Sequence, residues 1–108
     1  MENASILALL LMFLILVSGC VQTQSNEENA TSLCQKICNS KLSENISNGP
    51  CLSDSNANWT VNDWVCDVAH SPRQSVDDLP ENQCSAYRSG EAHHFDEVDT
   101  NCNLIKSV

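Results

Sequence analysis

The chain has 108 residues and a formal net charge of −9, because 14 Asp and Glu residues outnumber 5 Lys and Arg residues. This length suits a single domain, and the acidic balance argues against nucleic acid as a partner, since binding its phosphates requires a basic surface. Seven cysteines in so short a chain indicate that covalent cross-links, more than a large apolar core, hold the fold together.

The first element is an unbroken apolar run, residues 6–17, and the motif Val17-Ser18-Gly19-Cys20 lies at its end. The run is shorter than the roughly 20 residues that a membrane-spanning helix needs, and small residues before a cysteine fit the cleft of a processing enzyme. This pattern resembles the signal peptide and lipobox of prokaryotic lipoproteins, including archaeal ones. The resemblance implies that residues 1–19 are removed, that Cys20 carries lipid, and that the protein is anchored on the outer face of the membrane.

The first five residues differ from that pattern, because they contain Glu2 and no Lys or Arg, whereas such signals usually carry positive charge. The alternative is an uncleaved signal anchor over residues 4–21, which would cross a thin membrane at a modest cost of mismatch. Both interpretations place residues 21–108 outside the cytoplasm. That portion keeps 13 acids and 5 bases, so we expect it to be repelled by anionic head groups.

The cysteines that follow Cys20 are even in number, which outside the cytoplasm predicts three disulfides. Six cysteines allow 15 pairings, and the sequence does not choose among them. A zinc site is the alternative, but it usually requires two closely spaced cysteine pairs, and only one short spacing is present. Three bridges of about 2 to 4 kcal/mol each would be the main stabilising contribution in a domain of this size. The candidates are Cys34, Cys38, Cys51, Cys66, Cys84 and Cys102.

Residues 20–30 are polar and lack apolar periodicity, so we predict a flexible tether with a reach of about 15 to 20 Å. A helix then follows, because apolar residues recur at helical spacing behind Thr31 or Ser32 as the N-cap. Cys34 and Cys38 are four residues apart on one face of this helix. Each must therefore bridge to a different later segment.

Residues 43–58 are rich in Ser and Asn and contain Gly49-Pro50, which predicts a loop. Three Asn-x-Ser/Thr triplets begin at Asn29, Asn45 and Asn58, in or beside regions predicted to be exposed. Asn-rich chains produce such triplets by chance. We therefore expect these asparagines to be glycosylation sites only if the host, for example an archaeon, glycosylates its surface proteins.

The remaining pattern predicts a central strand within residues 59–69, where β-branched and aromatic residues alternate. A short helix over residues 77–89 should begin with acids and Pro80 in its first turn and stop at Gly90, which favours the end of a helix. Two further strands are predicted within residues 92–98 and 103–108. The expected fold class is α+β, in one domain that spans residues 31–108.

One candidate for chemistry is a metal site between the predicted strands. His94 and Asp96 would share one strand face, and His70 or Asp67 from the other strand could complete a nitrogen and oxygen ligand set suited to zinc or manganese. The alternative is one histidine hydrogen-bonded in the core and one in solvent. We favour that alternative and expect no metal or other cofactor.

A second candidate is a cysteine nucleophile, Cys84, with His93 or His94 as its base. Cysteine near a helix start, followed by a strand that carries histidine, resembles the element order of papain-like and transglutaminase-like hydrolases. Only 8 residues separate Cys84 from His93, however, whereas those families place a long helix and further strands between the two. This role would also remove Cys84 from the disulfide set.

A third candidate is a binding module, which needs neither a free thiol nor a bound metal. The outer domain has four large aromatic residues, Trp59, Trp64, Tyr87 and Phe95, and together with Arg73 they could form a platform for a sugar or peptide. Some of these rings must instead fill the small core. The sequence therefore favours a lipid-anchored, cysteine-rich surface protein that binds an unknown protein, peptide or carbohydrate, over an enzyme.

Overall fold

A computed structural model describes residues 25–108 of the chain. The apolar run, the lipobox and Cys20 lie outside the described residues. Within residues 25–108, no helix combines the length and the apolar character needed to cross a membrane. The fold is α+β, as the sequence predicts, with one main helix packed on a three-stranded sheet.

Helix α1, Asn26–Ser40, begins earlier than the predicted start at Thr31 or Ser32. The hydroxyl of Ser25 caps it by accepting a hydrogen bond of 3.2 Å from the backbone N–H of Glu28. Acidic side chains in the first turn also interact favourably with the positive end of the helix. This polar first turn gives no apolar periodicity, and so the sequence pattern does not reveal it.

The predicted boundary of the tether at residue 30 is therefore wrong. Residues 26–30 are helical, and Ala30 is fully buried. The rest of the predicted tether, residues 20–24, lies outside the described residues.

The sheet has three strands, β1 (Trp64–Val68), β2 (His94–Val98) and β3 (Leu104–Ser107). β1 pairs in parallel with β2, and β2 pairs antiparallel with β3. β2 is therefore the central strand, and the prediction that β1 is central is wrong. At its other edge β1 forms hydrogen bonds with the short segment 50–53, where the N–H of Leu52 donates to the Cys66 carbonyl at 2.8 Å.

The helix predicted over residues 77–89 is broken into three short pieces. They are two 3-10 turns, Ser75–Asp78 and Pro80–Asn82, followed by helix α2, Ser85–Arg88. Leu79 is extended because the following proline ring disfavours helical geometry at the residue before it. Gly90, with φ of +81°, ends this region as predicted.

Three disulfides cross-link the domain, which confirms the expected cysteine chemistry and resolves the pairing. Two of them join α1 to different later segments, one to β1 and the other to the turn after β2. The third joins the segment before β1 to the start of α2. The pairs are Cys34–Cys66, Cys38–Cys102 and Cys51–Cys84, with Cα separations of 5.4, 5.6 and 5.0 Å.

The two faces of the sheet bury different residues, because side chains alternate along each strand. α1 covers one face, which we call the helix face, and the main core lies there around Cys66, Val68 and Val98. The opposite face, the open face, is covered only in part by α2 and the loops before it. A smaller cluster of buried residues on that side comprises Val65, Cys84 and Ala92.

Candidate functional site

The open face of the sheet carries a groove of about 270 Å³. Its floor comes from alternate residues of the three strands, and its wall comes from α2 and the preceding loops. We call this cavity the open-face groove. Its lining residues are Val65, Asp67, Arg73, Gln83, Cys84, Tyr87, Arg88, Phe95, Glu97 and Lys106.

Two aromatic rings form the apolar part of the groove. Tyr87 and Phe95 meet edge to face with ring centroids 5.0 Å apart. The ammonium group of Lys106 lies over the Phe95 ring, 5.4 Å from its centroid, in a cation–π arrangement. Tyr87 remains 42% exposed, so this pair offers an aromatic surface to a ligand.

Two carboxyl groups form the polar part. Asp67 and Glu97 are direct partners in the parallel β1–β2 pairing and point to the same face. Glu97 accepts a hydrogen bond of 3.0 Å from Arg73 Nη1, whereas Asp67 Oδ1 is buried and has no hydrogen-bond partner among the described residues. Burial, reinforced by the negative charge of Glu97 and opposed by Arg73, raises the pKa of Asp67 to about 8.

The groove also concentrates positive charge. It is lined by three of the five basic residues of the chain, Arg73, Arg88 and Lys106. Arg73 is neutralised, because it pairs with Glu97 and also with Asp78, whose Oδ1 lies 2.8 Å from Arg73 Nε. Among residues 25–108, Arg88 and Lys106 form no ion pair, so an otherwise acidic domain presents two available cations here.

The aromatic platform predicted from four rings contains only two of them. Trp59 donates from its indole N–H to the Trp64 carbonyl at 2.9 Å, and it packs against the main core. Trp64 is only 8% exposed and stacks on His94, with ring centroids 4.7 Å apart. Both tryptophans therefore serve packing, and Tyr87 and Phe95 are the pair that faces the groove.

The hypothetical metal ligands do not converge. Asp96 pairs with Cys66 on the helix face, whereas Asp67 points to the open face. The His70 ring is engaged elsewhere, since its Nδ1 lies 2.9 Å from Asp77 Oδ1. The ring nitrogens of His93 and His94 both lie near the carboxylate of Asp63, but most of the His93 side chain is in solvent.

The Cys84 nucleophile hypothesis is wrong, because Cys84 is bonded to Cys51 and has no free thiol. The two sulfurs also lie close to the Asp54 carboxylate, and this is the only cluster with metal-ligand spacing within residues 25–108. A bridged sulfur is not a thiolate ligand, so the cluster does not form a metal site while the disulfide is intact. Its polar contact is structural, since Asp54 accepts a hydrogen bond of 2.8 Å from the N–H of Ser85 at the start of α2.

Asp77 fixes the loop that carries Arg73. It is 1% exposed, and its Oδ2 accepts hydrogen bonds from the N–H groups of His70 and Gln74 at 3.0 and 2.8 Å. Burial opposes ionisation, but these two N–H groups and the His70 ring outweigh it and lower the pKa of Asp77. Gly49 packs directly against this carboxylate.

Asp96 is the buried acid of the helix face. It is fully buried, and its Oδ1 accepts a hydrogen bond of 3.2 Å from the Thr31 hydroxyl on α1. Burial raises the pKa of Asp96, although the hydrogen bond from Thr31 opposes the shift. This residue therefore joins the helix to the sheet and has no contact with the open-face groove.

The three glycosylation candidates are all exposed. Asn29 lies on α1, whereas Asn45 and Asn58 lie in loops. The side-chain oxygen of Asn45 accepts hydrogen bonds from the backbone N–H and the hydroxyl of Ser47, the third residue of its triplet. The positions are accessible, and glycosylation itself stays a prediction.

Sequence reasoning missed several residues of the groove. Arg88, Glu97 and Lys106 were not assigned a role, and Asp67 was grouped with residues of the opposite face. The alternation within β2 does place Phe95 and Glu97 on one face, and this signal could have linked them. The register that brings Asp67 opposite Glu97 depends on a parallel pairing across about 30 residues, which local patterns do not specify.

No protein-family model, curated protein or solved structure matches the chain.

Proposed function

We propose that the chain is a lipid-anchored binding module on the outer face of the membrane, with the open-face groove as its ligand site. Three features support the location. The lipobox-like motif at Cys20 provides an anchor, the apolar run before it provides a signal, and three disulfides suit an oxidising compartment. Glycosylation of the exposed triplets would fit the same location.

The observation that carries the binding function is the composition of the groove. Apolar rings and polar groups that lack partners converge in one concave site, whereas the rest of the described surface is dominated by acidic residues. Ligand sites typically combine apolar walls with a few polar groups that orient the ligand. The cavity is smaller than a typical drug site, so a ligand or ligand segment about the size of one sugar ring or one amino acid fits it.

Binding is favoured over thiol catalysis because all six cysteines after Cys20 are consumed by disulfides. The bridges also serve a binding role, since Cys51–Cys84 fixes the start of α2, which forms one wall of the groove. A preformed site loses less conformational entropy when the ligand binds.

The anchor is tested with the substitution Cys20→Ser. In the lipoprotein interpretation this variant loses membrane attachment, and residues 25–108 stay folded because Cys20 lies outside the cross-linked domain. Membrane fractionation and circular dichroism measure the two properties. If Cys20→Ser remains in the membrane fraction with its amino terminus intact, the apolar run is an uncleaved anchor and the lipid anchor is wrong.

The groove is tested by NMR with a panel of single sugars and single amino acids as probes. We expect any probe that binds to shift the signals of Tyr87, Phe95 and Lys106. The substitution Tyr87→Ala should weaken this response, while Leu42→Ala, which removes an exposed apolar side chain outside the groove, should not. A response centred elsewhere on the domain, or none from the whole panel, would contradict the proposed site.

A further inference from the structure

The charges of the open-face groove define a narrower class of ligand than its shape does. Arg73 is already paired with two carboxylates, so it contributes little attraction for a further anion. Arg88 and Lys106 have no ion-pair partner in the described part of the chain. An anionic group on the ligand would pair with these two cations.

The remaining groups of the groove indicate the rest of the ligand. The Tyr87 and Phe95 rings suit the apolar C–H face of a sugar ring or another flat ring. Asp67 lies on the floor of the groove and is only partly buried, and the Gln83 side chain lies on the wall. Polar side chains that line a groove favour hydroxyl groups on the ligand over a purely apolar ring, because an apolar ring would cover them without offering a hydrogen bond.

We propose that the open-face groove binds an acidic sugar, with its carboxylate on Arg88 and Lys106, its ring on Tyr87 and Phe95, and a hydroxyl on Asp67. This inference rests on the proposed binding function of the groove and adds the class of ligand. The volume of about 270 Å³ accommodates one such ring.

The same arrangement makes binding depend on pH. Since the pKa of Asp67 is about 8, this side chain is a neutral acid at pH 6 and can donate its proton in a hydrogen bond to the sugar hydroxyl. Above that pKa it becomes a second negative charge beside Glu97. An anionic ligand should therefore bind more weakly at pH 9 than at pH 6.

The probes are galacturonate, galactose and benzoate, which separate the carboxylate from the sugar ring. Binding to the full-length chain in detergent is measured by calorimetry and by NMR. We expect galacturonate to bind at least about tenfold more tightly than galactose, which lacks the charge-assisted hydrogen bond of the carboxylate. It should also bind more tightly than benzoate, which has the carboxylate but no hydroxyl group for Asp67. A preference for galactose or benzoate, with shifts still centred on Tyr87 and Phe95, would overturn the acidic ligand and leave the groove as a binding site. If no probe shifts these residues, both the ligand class and the proposed site are wrong.

Single substitutions distinguish a direct contact between the ligand carboxylate and the two cations from long-range electrostatic attraction. Arg88→Gln and Lys106→Gln should each weaken galacturonate binding about tenfold. The matched control Lys36→Gln removes the same charge from an exposed position on α1 and should change the affinity less than about twofold. Equal losses in all three variants would overturn the direct contact.

A fourth variant tests the role of Asp67. Asp67→Asn keeps a hydrogen-bond donor and cannot ionise, so it should abolish the difference in affinity between pH 6 and pH 9. An unchanged pH dependence in this variant would overturn the assignment of Asp67.

Discussion

The two faces of the sheet differ although their residues alternate along the same strands. On the helix face, Cys66 is bridged to α1, and its strand partner Asp96 is fully buried against the same helix. One residue further along, Asp67 and Glu97 face a groove with aromatic rings and cations. One face therefore carries the main core, and the other keeps an open groove.

The comparison shows how a small domain can keep an open site. A chain of this size buries little apolar surface, so most of it would normally be needed for the core. Cross-links reduce the amount of apolar surface that the core must bury, because they stabilise the fold by constraining the unfolded chain. Large side chains such as Phe95 and Tyr87 can then remain partly exposed.

The largest expected effect comes from removing one bridge from each face. Cys34–Cys66 and Cys51–Cys84 have sequence separations of 32 and 33 residues, so the loss of loop-closure entropy is nearly equal, about 4 kcal/mol for each. Cys34 and Cys66 are both fully buried in the main core, whereas Cys51 is only partly buried. The double substitution Cys34→Ala and Cys66→Ala should therefore lower the free energy of unfolding by about 1 kcal/mol more than the equivalent change in the other bridge.

Chemical denaturation of the two double variants measures this difference. Equal losses, or a larger loss from the Cys51–Cys84 pair, would show that the open face contributes as much to stability as the helix face. The division between a stabilising face and a binding face would then be wrong.

A smaller effect is expected at two glycines that both have positive φ. Gly49, at φ +70°, lies so close to its neighbours that a Cβ atom would come 2.5 Å from Asp77 Oδ1 and 2.9 Å from the Val68 carbonyl. Gly90, at φ +81°, has no atom within 4 Å of that position. Gly90→Ala should cost about 1 kcal/mol from the backbone alone, and Gly49→Ala about 3 kcal/mol because steric clash is added.

Thermal and chemical denaturation of the two variants check this contrast. The Gly90→Ala variant is the control for positive φ without crowding. If both substitutions cost the same, Gly49 does not hold the Asp77 loop against β1, and the placement of Arg73 beside the groove needs another explanation.

Much of the fold follows from the sequence, and the predictions that were wrong have physical causes. Cysteine parity predicts three disulfides, and the alternation of residues predicts the strands. The early start of α1 was missed because Ser25 and two glutamates stabilise its first turn through capping and charge, which leave no apolar pattern. The prediction of one continuous helix after Asp77 was wrong, because Pro80 keeps the residue before it, Leu79, extended.

The candidate site was harder to predict than the fold. Tyr87, Phe95 and Arg73 were predicted to form part of a platform, and they do line the groove. Asp67 and Glu97 become a pair only through the parallel register of β1 and β2, and Lys106 joins them from β3. These contacts are distant in sequence, and strand register depends on the packing of the whole domain.

A last comparison concerns two acids whose pKa is raised by burial, Asp67 on the open face and Asp96 on the helix face. An Asp in the unfolded chain loses its proton near pH 4, whereas Asp67 keeps its proton up to about pH 8 in the folded state. The unfolded state therefore binds fewer protons over this range, and the free energy of unfolding falls as the pH rises. Burial raises the pKa of Asp96 as well, so it adds to the same fall.

Asp67→Asn and Asp96→Asn should each reduce this fall between pH 5 and pH 9, because neither amide can ionise. An amide at position 96 can still accept the hydrogen bond from Thr31, so neither variant needs to lose the fold at pH 5. Glu91→Gln removes one negative charge from an exposed site and serves as the control. Urea denaturation at several pH values measures the free energy of unfolding. An acidic sugar should raise this free energy only when the groove is intact. If Asp96→Asn followed the control while Asp67→Asn did not, the acid of the helix face would be ionised in the folded protein, and the raised pKa assigned to Asp96 would be wrong.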